Sequence, residues 1–389
     1  MDPERKGIKK FILKKFNIEN LLIGLVILLG VILIINIVFT FNLNKELKKS
    51  TESVKEKLKP AKIELIIIKN SKCTDCFDIS KIVSHVKNAN ANVTKEAMLE
   101  FNSNEGREIV SRYKIEKLPT VVVTGEINKV NIQGLEKREN ALLLTRLEPP
   151  YTNAITGDIE GKVALYKLID LECEKCSNLS LLISQIKAAG VKIYEEKEIG
   201  ENSNEGKELI KKYNVGFVPT IILSKDAGLY TIIQQAWLQI GNKESDGSYV
   251  LRLVNPPFIN LTTGKLRGIV DIVYLTDKNC VECYDVKLHK EILTNPQSFA
   301  IHLDKEETLD ISSAKGKELI AKYNITQVPT IILSDEISAY PSNRLLQQFF
   351  SIEKDGSYIF RIIQVLGTYK DLTTNQIIKI QQQQSSENQ

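Results

Sequence analysis

The first distinct pattern along the chain is an uninterrupted apolar segment near the N-terminus. Residues 21–41 contain no charged side chain, and only Asn36 and Thr40 are distinctly polar. A segment of that length is enough for one helix to cross a bilayer. A cleavable signal peptide would have a shorter apolar stretch followed by a site of small residues, and residues 42–46 read Asn-Leu-Asn-Lys-Glu. The pattern therefore predicts an uncleaved signal anchor, a transmembrane helix over residues 21–41.

The flanks of this segment are equally basic, so charge alone does not decide its orientation. A short basic tail usually stays inside, whereas a long folded segment is translocated largely regardless of its charge. We therefore expect a single-pass protein with its N-terminus inside and its C-terminal domains extracytoplasmic. Residues 1–20 are interpreted as a basic tail. Residues 42–60, rich in Lys and Glu and ended by Pro60, are interpreted as a charged, partly helical stalk.

The rest of the chain repeats one pattern at intervals of about 100 residues, as tandem domains do. Each copy contains a C-x-x-C motif, a Gly-Lys/Arg-Glu segment that ends in Tyr, and a Pro-Thr pair six residues after that Tyr. From the first cysteine to the proline there are 46, 46 and 49 residues. The cysteines of the three copies are Cys73, Cys76, Cys173, Cys176, Cys280 and Cys283.

Two Pro-Pro pairs separate the copies, at residues 149–150 and 256–257. Consecutive prolines cannot continue a helix, so each pair ends one unit and begins the next. The two Pro-Pro pairs therefore predict domain borders near residues 157 and 264. The predicted domains are 61–157, 158–264 and 265–380, and residues 381–389, which are rich in Gln, are predicted to form a disordered tail.

Within each copy, an apolar β-branched run such as residues 63–68 leads into the cysteine motif and predicts a buried strand. Apolar residues then follow with helical spacing, as in Ile79, Ile82, Val83 and Val86. They predict a helix that begins at or just after the first cysteine. The complete predicted order is strand, helix, strand, helix, strand, strand, helix, which indicates an α/β fold with helices covering a sheet.

Cysteines at i and i+3 on the first turn of a helix share one face and can form a disulfide. The helix N-terminus favours the thiolate, which is the attacking species in disulfide exchange. On this reasoning Cys73, Cys173 or Cys280 forms the mixed disulfide. The second cysteine of each pair, predicted to lie deeper in the helix, resolves it.

These motifs together resemble the thioredoxin superfamily, over roughly residues 61–380. The resemblance implies three tandem thioredoxin-like domains, each with a central mixed sheet flanked by helices, behind one transmembrane helix. In this arrangement the chain is similar to membrane-anchored protein disulfide isomerase-like proteins. It also implies that the prolines are cis and that the preceding residues present backbone groups to an extended substrate peptide. Those predicted substrate-binding residues are Leu118, Pro119, Val218, Pro219, Val328 and Pro329.

The chain departs from the superfamily pattern around the cysteines. The usual Trp before the first cysteine is absent, and a carboxylate stands inside each motif, at Asp75, Glu174 and Glu282. A nearby negative charge disfavours the thiolate and makes the disulfide relatively more stable. This places vigorous oxidase behaviour in doubt and favours a slower reductase, isomerase or electron-relay role.

The charge balance and the cysteine spacing indicate which partners and metal ions the chain is expected to lack. Lys and Arg total 52 against 48 Asp and Glu, which leaves a net charge of only +4. That balance disfavours a nucleic-acid partner. A zinc site is the chemical rival, because C-x-x-C is half of a four-cysteine site. It would require two motifs from different units to meet, and three motifs leave one unpaired, so we expect no metal and no cofactor other than the redox-active disulfides.

Two functions follow from these observations. The first is a membrane-anchored thiol-disulfide oxidoreductase or isomerase that acts on cysteines of exported client proteins, with a possible redox partner in the membrane. The second is a non-catalytic tandem module that binds partner or unfolded polypeptides, in which the disulfides only stabilise the fold.

Overall fold

A computed structural model describes residues 18–380. Most of the predicted basic tail and the whole of the predicted C-terminal tail, residues 381–389, lie outside the described residues. The described chain divides into two compact units. One contains residues up to Lys72 together with Asp78–Arg146, and the other contains Cys73–Phe77 together with the chain from Leu147 onward.

The first unit begins with one long helix, α1 (Ile18–Leu58), which includes the predicted span and nearly all of the predicted stalk. Residues Leu22–Thr51 of α1 are long and apolar enough to cross a membrane, and the most apolar stretch of this segment is not buried. A core helix would be buried in the protein, but a signal sequence near the N-terminus has the same length and composition. The helix itself therefore fits a membrane span without showing which side of the membrane the domains occupy.

Domain 1 follows α1 and forms a five-stranded sheet in the order β2-β1-β4-β6-β5. Strands β1 and β2 are parallel, and the other neighbours are antiparallel. Its elements are β1 (Ala61–Lys69), α2 (Ser80–Asn88), β2 (Ala91–Glu100), α3 (Asn104–Arg112), β3 (Lys117–Leu118), β4 (Thr120–Gly125), β5 (Glu136–Arg138) and β6 (Ala141–Leu143).

The second unit starts with the hairpin β7 (Tyr151–Asn153) and β8 (Ile159–Glu160) and continues into domain 2. Domain 2 has the sheet order β10-β9-β12-β14-β13 and a smaller sheet β11-β15-β16. Its elements are β9 (Val163–Ile169), α4 (Ser180–Ala188), β10 (Ile193–Gly200), α5 (Asn204–Tyr213), β11 (Phe217–Val218), β12 (Thr220–Leu223), α6 (Thr231–Ala236), β13 (Gly241–Lys243), β14 (Tyr249–Leu251), β15 (Phe258–Asn260) and β16 (Lys265–Arg267).

Domain 3 repeats this arrangement, with sheets β18-β17-β20-β22-β21 and β19-β23-β24. Its elements are β17 (Ile269–Thr276), α7 (Leu288–Thr294), β18 (His302–Asp310), α8 (Ala314–Tyr323), β19 (Gln327–Val328), β20 (Thr330–Leu333), α9 (Asn343–Leu346), β21 (Phe350–Ile352), β22 (Tyr358–Phe360), β23 (Tyr369–Asp371) and β24 (Gln376–Ile378). The predicted α/β class with a mixed sheet and flanking helices is confirmed.

The main sheet has a core on each face, because successive residues of a strand point to opposite sides. In β12, Ile221 and Leu223 pack with Ile183 of α4, whereas Ile222 packs with Tyr213 of α5 on the other face. Domain 3 has the same pair of clusters. In domains 2 and 3 the strand that leads to the cysteines also contributes to both clusters, through Leu165 and Leu168 of β9 and through Ile272 and Leu275 of β17.

The repeated glycine of the sequence has a packing reason. Ser103 caps α3 by accepting a hydrogen bond from the backbone N–H of Gly106 at 3.0 Å. A Cβ added at Gly106 would lie 2.1 Å from the carbonyl oxygen of Glu100. Gly206 and Gly316 are in the same situation, so only glycine fits where each of these helices meets the preceding strand.

The secondary structure at the end of each of the three repeats differs from the prediction. A helix was expected there, but each repeat ends in a β-hairpin. Residues 157 and 264, the predicted borders, fall in the turns of two of these hairpins. The domain limits themselves remain predictions.

Candidate functional site

All six cysteines are paired within their own motifs. The disulfides Cys73–Cys76, Cys173–Cys176 and Cys280–Cys283 have S–S distances of 2.08, 2.06 and 2.01 Å. Each pair follows the strand that was predicted to lead into it, β1, β9 or β17. The proposed catalytic role of these cysteines remains a prediction.

The cysteines do not stand on a helix, so the predicted helix start is wrong. The helices begin at Ser80, Ser180 and Leu288, well past both cysteines of each pair. An Asx turn sets the start of α2, because the Asp78 carboxylate accepts a hydrogen bond from the backbone N–H of Ser80 at 2.8 Å. Asn178 and Asp285 form corresponding turns. Since the helix dipole acts mainly within the first turn, it gives these cysteines little of the predicted activation.

The order of burial is also the reverse of the prediction. Cys73 is 9% exposed and Cys280 is 8% exposed, whereas Cys76 and Cys283 are half-buried. In the second pair both cysteines are half-buried. The second cysteine is therefore the more accessible one in the first and third pairs, and it is not the deeper one as predicted.

The three predicted prolines are preceded by cis peptide bonds, Leu118–Pro119, Val218–Pro219 and Val328–Pro329. The threonine that follows each proline is fully buried. Thr120, Thr220 and Thr330 each donate a side-chain hydrogen bond to a backbone carbonyl of a neighbouring strand end, at 2.8, 2.8 and 2.7 Å. This anchor explains why Thr recurs after the proline. Two further cis bonds, Pro149–Pro150 and Pro256–Pro257, were not predicted.

In domain 2 the structure brings predicted site residues together in one pocket. Cys173, Cys176 and Pro219 line an open pocket of about 240 Å³, together with Lys167 and Asp170. The Lys167 ammonium is paired with the Glu198 carboxylate at 2.7 Å. A thiol-bearing group of modest size could therefore reach the second disulfide beside a cationic side chain.

No protein-family model matches the chain, and no curated protein matches it. The chain is similar to solved structures that include the following three. The C503A mutant of the alkylhydroperoxide reductase AhpF from Enterococcus faecalis (V583) is 19% identical with a TM-score of 0.14, over 44% of this chain and 81% of that chain. ERdj5 form II is 14% identical with a TM-score of 0.14, over 74% of this chain and 38% of that chain. Human ERp44 form II is 13% identical with a TM-score of 0.14, over 73% of this chain and 79% of that chain.

Such low TM-scores carry no weight by themselves, so the fold assignment rests on the chain's own geometry. Each repeat combines a mixed five-stranded sheet, a C-x-x-C pair after the strand that stands second in the sheet order and a cis-proline before a buried threonine. The three domains are thioredoxin-like. Each C-x-x-C disulfide is a group that can undergo thiol-disulfide exchange.

In these thioredoxin-like domains, the backbone next to the cis-proline was predicted to meet a substrate peptide. In domain 2, Val218 of β11 is paired with Ile259 of β15. In domain 3, Val328 of β19 is paired with Lys370 of β23. Leu118 of domain 1 is fully buried. In domains 2 and 3 a strand of the same chain therefore lies where the resemblance places a substrate strand, and sequence alone carried no signal of this.

The third pair has a hydrogen-bonded aromatic side chain beside it. The Tyr284 hydroxyl donates to the carbonyl oxygen of Pro329 at 2.9 Å and lies 3.1 Å from Nε2 of His289. Because the single phenolic hydrogen is used on Pro329, Nε2–H of a neutral imidazole donates to the Tyr284 oxygen. Burial lowers the pKa of His289 to about 4 and raises the pKa of Tyr284.

Two of the carboxylates inside the motifs are ion-paired. Asp75 is 3.1 Å from the Lys162 ammonium, and Glu282 is 2.6 Å from that of Lys379. Lys175 of the second motif is paired with Asp304 at 2.8 Å. These pairs are largely exposed and each contributes little energy, but they reduce the net negative field that was expected to oppose the thiolate.

The described part of the chain contains no candidate metal centre. Among residues 18–380, no group of three or more His, Cys, Asp or Glu side chains could hold a metal ion. The predictions of no metal and no cofactor other than the disulfides remain predictions.

Proposed function

We propose that the chain is a membrane-anchored thiol-disulfide oxidoreductase or isomerase that acts on cysteines of exported proteins. The observation that carries this proposal is the pocket of domain 2, where a disulfide, a cis-proline and a lysine line one accessible space. Both cysteines of that pair are half-buried and neither is sealed in the core. Pro219, which the resemblance places beside the substrate, lines the same space as the two cysteines.

The proposed exchange step can be written for Cys176. A client thiolate attacks its Sγ, a bond forms between the client sulfur and Cys176, and the Cys173–Cys176 bond breaks. Cys173 leaves as a thiolate and takes a proton from water. A second client thiolate then attacks the client sulfur and releases Cys176, so that the client is oxidised by two electrons and the pair is reduced by two. Isomerisation starts instead from the reduced pair. The Cys176 thiolate attacks a client disulfide and releases one client thiolate; a different client thiolate then attacks the client sulfur of the mixed disulfide, and Cys176 leaves as a thiolate. The client disulfide has then moved, and neither the client nor the pair has changed its oxidation state.

Membrane placement forms part of the proposal. The segment Leu22–Thr51 of α1 has the length and composition of a span, and the basic tail favours the N-terminus inside. The three domains would then face exported clients in an extracytoplasmic space, where disulfides persist. The net oxidant or reductant of the pairs would be a membrane or soluble partner that carries a disulfide or dithiol.

Trapping of mixed disulfides tests the proposal. In membranes that contain the full chain, Cys173→Ser and Cys176→Ser each leave one cysteine that can hold a client. We expect at least one of them to give high-molecular-weight adducts that are sensitive to dithiothreitol. The double variant Cys173→Ser/Cys176→Ser is the matched control and should give none at this site. If no single variant of any of the three pairs traps a client, the oxidoreductase proposal is wrong.

The burial of Cys73 and Cys280 favours a second candidate, a non-catalytic tandem module that binds polypeptides. In that case the disulfides would only stabilise the fold. Reduction potentials separate the two functions. Purely structural pairs should have potentials below about −300 mV, whereas an exchanging pair should titrate in glutathione-range buffers.

A further inference from the structure

Two connector hairpins follow the second and third domains, at residues 258–267 and 369–378. The first lies near Cys173–Cys176 and the second near Cys280–Cys283, and the side-chain contacts that join them to the cysteine motifs differ. Both hairpins pair in the same register, with Ile259 opposite Val218 and Lys370 opposite Val328. Each is also joined to the residue after the second cysteine. Ser177 N–H donates to the carbonyl of Pro257 at 2.7 Å, and Tyr284 N–H donates to that of Thr368 at 2.9 Å.

In domain 3 the hairpin is also joined to the disulfide turn by a buried ion pair. The Lys370 ammonium lies 2.6 Å from the Asp277 carboxylate, and the two side chains are only 18% and 2% exposed. Burial is the largest single influence and would raise the pKa of Asp277, but the hydrogen bonds from Lys370 and from the backbone of Asn279, together with the Lys370 charge, outweigh it and the pKa is lowered. Asp277 belongs to the disulfide turn itself, because its carbonyl accepts a hydrogen bond from Cys280 N–H at 2.9 Å.

A second ion pair joins the end of the same hairpin to the motif, because Lys379, directly after β24, is paired with Glu282 between the two cysteines. The hairpin is thus attached to residues before, within and after the third C-x-x-C. Cys280 is 8% exposed and Cys283 is half-buried, whereas both cysteines of the second pair are half-buried. Moving the hairpin away from this disulfide would break the buried ion pair between Lys370 and Asp277, which is unfavourable because it leaves buried charges unpaired.

Domain 2 has the acid but lacks its partner. Asp170 stands three residues before Cys173, as Asp277 stands three before Cys280, and each carboxylate accepts the backbone N–H two residues further on. The hairpin residue that corresponds to Lys370, however, is Ile259. Within the described residues, no ion pair joins residues 258–267 to the turn at 170–176. Here the pocket beside Cys173 and Cys176 is open.

We propose that the connector hairpin of domain 3 is a latch, closed by Lys370 and Asp277, that shields Cys280–Cys283 from clients, and that the unlatched Cys173–Cys176 is the pair that exchanges with them. This inference rests on the proposed function and assigns it to one of three pairs. It also implies that Cys280–Cys283 can react with a client only after the hairpin has opened.

Reduction rates of the individual pairs test the latch. The full chain in detergent is treated with dithiothreitol, which forms its own cyclic disulfide as each protein disulfide takes up two electrons and two protons. Samples are quenched with a light maleimide, the remaining disulfides are reduced and labelled with a heavy maleimide, and each pair is read by mass spectrometry. We expect the third pair to be reduced at least about tenfold more slowly than the second. Equal rates would overturn the proposal.

A variant without the latch should lose this difference. Lys370→Ile combined with Asp277→Asn avoids leaving a buried charge unpaired, and Ile is the residue that domain 2 carries at this position. We expect the third pair to be reduced within about threefold of the rate of the second pair, and the second pair to keep its rate. Hydrogen exchange of β20 shows that the domain is still folded. An unchanged third-pair rate in a folded variant contradicts the latch.

The reverse substitution gives an independent arm. Ile259→Lys places a lysine at the position that corresponds to Lys370, so that it can pair with Asp170 as Lys370 pairs with Asp277, and Ile259→Met is the uncharged control of similar length. Ile259→Lys should slow reduction of the second pair about tenfold, and Ile259→Met should not. If the two variants behave alike, the latch is refuted. Dithiothreitol rates need no client, so a failure to trap clients would refute the proposed function and leave the rate order standing.

Discussion

Tyr284 donates its hydroxyl hydrogen to the carbonyl oxygen of Pro329 over 2.9 Å, so the residue after the third cysteine pair is bonded directly to the cis-proline loop. His289 completes the arrangement by donating to the same phenolic oxygen at 3.1 Å. The imidazole also packs edge-on against Phe360, with ring centroids 4.5 Å apart. In domains 1 and 2 the positions that correspond to Tyr284 are Phe77 and Ser177, so this bridge is specific to domain 3.

Removing the hydroxyl should destabilise domain 3 more than removing both partners. Tyr284→Phe, which installs the residue found in domain 1, leaves the buried Nε2–H of His289 without an acceptor and should cost about 1–3 kcal/mol. Adding His289→Leu, the residue of domain 2, removes that unpaired donor. We expect the double variant to lose less unfolding free energy than the two single variants lose in total. Hydrogen exchange in β17, analysed as a double-mutant cycle, measures these losses. Strict additivity would show that the two groups are not coupled.

Domain 3 should lose stability in mild acid because of His289. Its pKa is about 4 in the folded domain, against 6.5 for the free side chain. The unfolded chain therefore binds a proton first as the pH falls, and stability that is fully present above pH 6.5 is lost progressively toward pH 4. Between pH 7.5 and pH 5 the expected loss is about 2 kcal/mol.

Hydrogen exchange of β17 and β20, corrected for the intrinsic rate at each pH, measures this loss. His289→Leu should abolish most of it, and His85→Gln, at an exposed site in domain 1, should not alter it. An identical pH dependence in the His289→Leu variant would show that other groups are responsible.

The sequence was sufficient for the elements whose signal is local or repeated. The apolar β-branched runs of β1, β9 and β17 and the spacing of Ile79, Ile82, Val83 and Val86 predicted strands and a helix that are present. The repeated Pro-Thr marked the three cis-prolines through resemblance to the superfamily.

Features that depend on distant contacts could not be predicted in this way. The helical spacing after Cys73 is real, but the backbone N–H of Phe77 is bonded to the carbonyl of Pro150, and this contact holds the motif in a turn ahead of α2. The connector hairpin pairs with a two-residue strand about 40 positions earlier in the chain, and such a short strand carries no periodicity. The partner of Asp277, Lys370, is 93 residues away.

Replacing the buried threonine after a cis-proline should lower the stability only of the domain that contains it. Thr220→Val keeps the shape of the side chain but removes its buried hydrogen bond to Leu251, which should cost about 1–2 kcal/mol. Trp237, the one tryptophan of the sequence, is buried in the core of domain 2 and reports its unfolding by fluorescence. The urea midpoint read by Trp237 should fall in Thr220→Val and stay unchanged in Thr330→Val. A common shift in both variants would mean that the two domains unfold together.

Gly268 should be far less tolerant of substitution than Gly264, although both have positive φ. Gly268 has φ +86°, and an added Cβ would lie 2.1 Å from Cβ of Pro256. Gly264 has φ +65° and nothing within 4 Å of that position. Gly268→Ala should cost about 2 kcal/mol or more, and Gly264→Ala about 1 kcal/mol. Protection of β17 in hydrogen exchange measures both, and equal losses would show that the Pro256 ring moves aside freely.

The connector hairpin also determines when domain 2 can be completed during synthesis. Strand β11 ends at Val218, and its partner β15 begins at Phe258, so about 40 more residues must emerge before the edge next to Pro219 is covered. At about 5–20 residues per second, that edge stays open for about 2–8 s. An unpaired edge can accept a strand from another chain. A nascent copy halted between Val218 and Phe258 would therefore be the form of this protein most prone to pairing with its neighbours.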